Sequence, residues 1–351
     1  MSALSDFKHF KHFTDDELTK YEFTVDDPRD IEGLVWTVPK DVTIVALLHR
    51  YIFPSEKLNC IVCHEARHHS GGVALLSDGS KCLIGNDCGR KTFGKELWDQ
   101  RISEFEKAQN RRELLDRSAQ IYADVASQLK SAQQLESSYR GYAHLQKATI
   151  DCIRKDYRRL IHDLHESGGQ LGITARKSEI VKDAFRGLSS SSTRSDKLTR
   201  SAYETQPIGR IRGYRFLSGK SPLELLRDGL SGLRAVQEGL ASGDINDQGR
   251  KKLHRKYDDA RQAMIASAEV YQQAFVFHQT ANYKVLGEWL NQNEECDLEA
   301  RLSATTFATR LKVPPARAEN SWCLIPTLDG ALDSPSSVFE LMDKIWPSPA
   351  V

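Results

Sequence analysis

Between Lys95 and Arg140 the chain contains neither glycine nor proline. Apolar residues here and just beyond fall at Tyr122, Val125, Leu129, Ala132, Leu135, Tyr139, Tyr142 and Leu145, in steps of three and four throughout. At 3.6 residues per turn that spacing keeps one stripe of a helix apolar. The pattern opens near Ile102 and Phe105 and predicts a helix reaching about Glu166, with Gly141 as its weak point. A helix of that length cannot bury its stripe against itself. A helix hairpin, a coiled coil or a partner must cover it.

A second helical block follows. Ser221-Pro-Leu-Glu224 is a capping box with proline at the first helical position. Leu223, Leu226, Leu230, Leu233 and Leu240 supply its stripe. Arg250 to Leu286 again lacks glycine and proline, and Leu253, Tyr257, Ala260, Met264, Ala268, Tyr271 and Phe275 keep helical spacing. A last helix is predicted over about Ser337–Trp346. The chain is therefore expected to be mainly α: a small N-terminal α/β segment with a zinc finger, then long helices, then a helical C-terminal part. With 351 residues and about 150 per domain as a prior, more than one domain is expected. Composition divides the chain into an α/β segment (1–54), a cysteine-rich finger (55–98), a long helical region (99–187), a basic linker and loop (188–220) and a helical C-terminal domain (221–351). The linker is marked by Ser189 to Ser192, and Arg176–Arg186 reads as a short helix.

The N-terminal segment opens with Thr14-Asp-Asp-Glu17, a capping box. Leu34–Val38 and Val42–Phe53 are short apolar runs divided by Pro39, and both read as strands.

Cys60, Cys63, Cys82 and Cys88 lie within 29 residues, among glycines at 71, 72, 79, 85 and 89. Seven cysteines, an odd total, and an N-terminal stretch without the apolar core of a secretory signal argue against a disulfide framework. They point to a cytoplasmic setting, where clustered thiols suit zinc. Cys60-Ile-Val-Cys63 forms a knuckle whose single tight turn aims both sulfurs at one point. Gly85-Asn-Asp-Cys88 leads into a helix from about Arg90, whose N-terminus favours a thiolate. Over about residues 55–98 this arrangement resembles a treble-clef zinc finger, which implies a knuckle, a hairpin and a final ligand at a helix start. The second cysteine pair is more widely spaced than in that family. Cys82 is the expected fourth ligand, and because of that spacing His64, His68 and His69 stand as alternates. Cys152, Cys296 and Cys323 are isolated in sequence and read as structural.

Two sharper chemistries share these residues. Cys60-Ile-Val-Cys63-His64 is also a haem-attachment string, but that chemistry requires export. His68, His69, Asn86 and Asp87 supply the residue types of a His-Asn-His nuclease, though not in its order. No phosphate loop, dinucleotide fingerprint, nucleophile elbow or metalloprotease motif is present.

The net charge of +1 conceals an uneven distribution. Residues 1–59 carry 7 Lys/Arg and 11 Asp/Glu (−4), residues 145–220 carry 16 and 8 (+8), and residues 281–351 carry 6 and 10 (−4). A basic middle can hold a polyanion while the whole chain stays near neutral. Arg154, Lys155, Arg158 and Arg159 fall off the apolar stripe of their helix and are candidate phosphate contacts. Arg210, Arg212 and Arg215 alternate with Tyr214 and Phe216, which suits arginine–phosphate contact with base stacking, or a strand whose aromatics face a core. The expected function is a non-catalytic zinc-binding protein that engages nucleic acid. The alternatives are an interaction scaffold, with a protein partner or second copy on the long helix, and a metal-dependent nuclease. No apolar run approaches the roughly 18 residues of a membrane span, so no membrane partner is expected.

Overall fold

The computed structural model describes residues 7–52, 57–64, 66–176, 203–243, 245–304, 306–313 and 322–326, together with Val338, Glu340 and Met342. The chain is mainly α. It divides into two compact units, residues 1–123 with 242–252 and residues 124–241 with 253–351.

In the first unit, α1 (Asp15–Lys20) starts at the expected capping box. Thr14 Oγ1 accepts from Glu17 N at 3.2 Å, and Thr14 N donates to the Glu17 carboxylate at 2.7 Å. The elements β1 (Thr24–Val25), β2 (Ile44–Ile52), β3 (Leu58–Asn59), β4 (Ala66–His68), β5 (Ser70–Leu76), β6 (Lys81–Ile84) and α2 (Asn86–Phe93) follow. Four strands make one sheet in the order β1-β2-β5-β6, and β3 and β4 form a separate two-stranded ribbon. The strand before the cysteine cluster thus pairs with one inside it. Of Leu34–Val38, only Leu34 makes a bridge, to Lys81, so the expected strand does not form. Gly33 and Asp41 near its two ends both have positive φ (81° and 61°), which turns the chain out of an extended path.

The helix α3 (Lys95–Cys152) is continuous through Gly141. It stops 14 residues short of the expected end at Glu166. A turn over Ile153–Asp156 separates it from α4 (Tyr157–Glu166). Periodicity continues through that turn, so the break has a tertiary cause. The buried Asp156 carboxylate accepts from the backbone N–H of Asp297 (3.2 Å) and Leu298 (3.0 Å). Thr309 Oγ1 donates to the Cys152 carbonyl at 2.7 Å, taking an acceptor that a longer helix would have used itself.

The second unit contains β7 (Gln170–Arg176) paired antiparallel with β8 (Tyr203–Arg210). Arg176 therefore ends a strand rather than opening a helix; residues 177–186 and the serine run lie outside the described residues. The helices α5 (Pro222–Ala241) and α6 (Asp247–Phe277) follow, the latter starting in the first unit. The capping box at Ser221 forms as read. The predicted single helix to Leu286 is divided at His278, and α7 (Thr280–Gln292) follows. Asn282 holds the break open: its side chain accepts from Arg212 N and donates to the carbonyls of Arg212, Val276 and Phe277. A three-stranded antiparallel sheet, β9 (Leu298–Leu302), β10 (Thr306–Leu311) and β11 (Cys323–Pro326), completes the unit in the order β11-β10-β9. Of the last predicted helix only Val338, Glu340 and Met342 are described, and these are helical.

The α3 stripe from Val125 to Leu145 is buried as the spacing predicts, with Tyr122 the exception at 52% exposed. Its cover is internal. Tyr139 and Tyr142 pack on Tyr271 of α6, with ring centroids 4.8 and 4.1 Å away. Gln128 bonds the Tyr257 hydroxyl. Glycines let α5 approach α6 closely: a Cβ on Gly229 would lie 2.4 Å from the Met264 side chain.

Candidate metal centre and basic surface

Among the described residues, one group can hold a metal: the sulfurs of Cys60, Cys63 and Cys88 all lie within 4.8 Å of one another. Tetrahedral zinc with bonds of about 2.3 Å sets sulfurs about 3.8 Å apart, so the cluster closes on an ion with small side-chain adjustments. Local structure explains the convergence. Cys60 follows β3, and the turn Ile61–Cys63 is closed by His64 N donating to the Cys60 carbonyl at 2.8 Å. His64 ends the turn in the left-handed region, φ 55°. Cys88 is the third residue of α2, within the first turn where the N-terminal dipole acts. The helix begins at Asn86, earlier than the expected Arg90. Gly89 fixes its seat, because a Cβ there would lie 2.4 Å from the Trp98 indole.

The electrostatics are those of a thiolate trap. Burial raises the Cys60 thiol, yet N–H groups of Gly85, Cys63 and Val62 and the Cys88 thiol hold it below its ordinary value. Cys88 is pushed up to about 12, by burial first and then by donating to Cys60 and Cys63 and by their charge. One thiolate is stabilised, and further ones are opposed until a cation arrives. A divalent soft ion supplies that charge.

Cys82 lies outside this group. It is fully buried in β6 opposite Ala74, and burial pushes its thiol to about 12. Of the alternates, His64 is exposed and outside the group. His69 is exposed, and the side chain of His68 lies outside the described residues. Asn86 and Asp87 are exposed on the first turn of α2. Among the described residues no histidine–carboxylate group has metal-binding geometry.

Sequence reasoning missed the backbone donors around Cys60. The Cys-x-x-Cys spacing signals two of them, since a knuckle turn points its own amides at the first sulfur. Gly85 is brought by the sheet and has no local signal. Also missed was a bond between Cys152 and Cys323, read as separate residues but joined by a disulfide across a sequence separation of 171. Cys296 is free and buried, as expected of a structural cysteine.

The basic candidates fall on neighbouring elements of the second unit. Arg154 and Lys155 lie in the α3–α4 turn rather than on a helix, and both are exposed, as is Arg158. Arg159 is not available in the same way: it is partly buried, donates to the Glu295 carbonyl and lies 3.7 Å from the Glu295 carboxylate. Arg210, Arg212 and Arg215 are exposed, and Arg210 reaches the Gly168 carbonyl at 3.2 Å. Tyr214 to Leu217 form a 3-10 turn, not a strand. Phe216 is fully buried and Tyr214 packs on the same core, so neither presents a face for base stacking. The turn adjoins α4, where Tyr157 donates to the Leu217 carbonyl and His165 meets the Tyr214 ring at 5.4 Å. Among the described residues Arg154, Lys155, Arg158, Arg212 and Arg215 make no ion pair. No helix there is long and apolar enough to cross a membrane.

No family model, curated protein or solved structure matches this chain.

Proposed function

We propose that this chain is a zinc-binding protein that engages nucleic acid through phosphate contacts. Zinc is held by Cys60, Cys63 and Cys88, with a treble-clef-like finger as the local scaffold. The contacts come from Arg154, Lys155 and Arg158 and from Arg210, Arg212 and Arg215. The observation that carries the reading is the set of exposed arginines on α4, its preceding turn and the adjoining 3-10 turn, unmatched by carboxylates among the described residues. Cations gathered without partners repel one another, and a polyanion relieves that repulsion while releasing its own counterions. With Phe216 and Tyr214 occupied in the core, recognition is of the backbone rather than of bases. The scaffold alternative loses its main motive, since the α3 stripe is already covered by α6. The thiol trio favours a reducing, cytoplasmic setting, while the Cys152–Cys323 disulfide counts against it.

The test is fluorescence anisotropy of zinc-loaded protein with single- and double-stranded DNA and RNA at about 50 and 200 mM salt. Several phosphate contacts imply a loss of affinity by orders of magnitude over that range. Arg154→Glu, Lys155→Glu and Arg158→Glu together should abolish binding while zinc content stays unchanged. Absence of binding at the lower salt rejects the proposal.

A further inference from the structure

The first unit contains a cavity of about 530 Å³ that is separate from the thiol cluster and from the basic surface of the second unit. Its size falls within the range of small-molecule sites. Its two sides differ in chemistry. Phe10, Leu18, Leu47 and Ala108 are all buried and supply an apolar wall. Lys11, Arg101, Lys107 and Arg111 converge on it from the 3-10 turn Phe10–His12 and from α3. Two carboxylates, Glu104 and Asp247, also line it, leaving an excess of two cations in the lining.

Those carboxylates are already engaged. Glu104 accepts from Arg101 at 2.8 Å and from Gln100 at 3.0 Å. Asp247 lies 3.7 Å from both Arg111 and Arg250. Lys11 and Lys107 make no ion pair among the described residues. Arg101 is the more telling side chain: it is 20% exposed, and its Nε–H is buried with no hydrogen-bond partner among the described residues. Buried donors are rarely left unmatched. The exposed Lys11 and Lys107 add positive charge beside that donor, which favours an anion over a water there.

We propose that this cavity binds a small amphipathic anion, its charged head among Arg101, Lys107 and Lys11 and its apolar or aromatic body against Phe10, Leu47 and Ala108. The head is a phosphate, sulfonate or carboxylate, the groups that a guanidinium matches with paired N–H donors. The body is required because a bare inorganic anion leaves the apolar wall uncovered. This inference does not rest on the nucleic-acid reading, which concerns a different unit of the chain.

The probe is 8-anilinonaphthalene-1-sulfonate, an aromatic anion whose fluorescence rises in an apolar site. It is titrated into the full, zinc-loaded chain, with near-UV circular dichroism confirming the native fold. The uncharged N-phenyl-1-naphthylamine serves as its charge-free counterpart. Saturable binding at one site per chain is expected, at least tenfold tighter for the sulfonate than for the neutral dye. Arg101→Gln with Lys107→Gln should weaken the sulfonate at least tenfold and leave the neutral dye within about twofold. Ala108→Trp, which fills the apolar side, should abolish both. Because Lys107 is exposed, Lys107→Gln alone should still weaken the sulfonate severalfold and spare the neutral dye, even if the other variants fail to fold. Equal affinity for the two dyes, sulfonate binding indifferent to the double substitution, or no saturable binding by the native chain overturns the proposal.

Discussion

Cys60 stands between opposing influences, burial on one side and three backbone N–H donors on the other, and the donors prevail. A sulfur so prepared is a ligand in waiting, and Cys63 and Cys88 complete the set. Substituting any of the three by Ser should remove bound zinc and lower the unfolding midpoint by many degrees, because metal binding here is folding free energy. Cys82→Ala should keep one zinc per chain in an elemental assay; loss of zinc would make Cys82 a ligand. His64 is held left-handed at φ 55°, where glycine is favoured. His64→Gly should therefore raise stability by up to about 1 kcal/mol and leave zinc affinity unchanged. A tenfold or greater fall in affinity would instead identify His64 as the fourth ligand. The pH dependence has a definite sign. In metal-free protein the Cys88 thiol ionises only near 12, against an ordinary value near 9. Above the ordinary value the unfolded chain has released a proton that the folded chain retains, so stability falls as pH rises from about 9 towards 12. Denaturant titrations of chelator-treated protein from pH 8 to 11 should show that fall. Zinc-loaded protein should show a shallower fall, because its ligand thiols are already ionised while Cys82, outside the cluster and pushed up to about 12, titrates in both forms.

Two features decide the elements around the sites. The start of α2 depends on Gly89, which lies against the buried Trp98 ring. Gly89→Ala gains helix propensity but forces a methyl group into the indole, so a net loss of about 1–3 kcal/mol is expected. Denaturant unfolding should register that loss, and zinc affinity should fall with it because Cys88 moves. The break between α6 and α7 depends on Asn282, 6% exposed, which ties both backbone groups of Arg212 to the carbonyls of Val276 and Phe277. Asn282→Ala leaves buried backbone groups unmatched and should cost about 2–3 kcal/mol. A loss below about 0.5 kcal/mol would show that the break does not depend on this side chain.

The whole chain combines five free thiols, three of them clustered, with one disulfide. Cys152 and Cys323 close a loop across 171 residues, and chain-entropy arguments assign such closure up to about 5 kcal/mol. Cys323→Ser should lower stability by roughly 2–4 kcal/mol in non-reducing buffer and leave zinc content unchanged. Equal stability of the variant and the native chain would mean that the bond does not contribute in solution. The charge asymmetry belongs to this scale as well. The middle of the chain is net +8 while the total is +1, so acidic residues elsewhere in the sequence balance the excess.

Local signals were legible without coordinates. The capping boxes at Thr14 and Ser221, the apolar stripe of α3 and the Cys60–Cys63 knuckle are all set by neighbours within one or two turns, and short-range sterics and hydrogen bonds suffice for them. The mainly α class follows from the same periodicity. Only the tertiary structure decided where α3 ends, since Asp156 and Thr309 act through residues more than 140 positions from their partners. It also decided that Phe216 belongs to the core, that Cys88 rather than Cys82 converges with the knuckle, that Cys152 meets Cys323, and that Arg101 and Lys11 face one cavity. In each of these the partner is distant in sequence, and periodicity carries no information about which distant groups will meet.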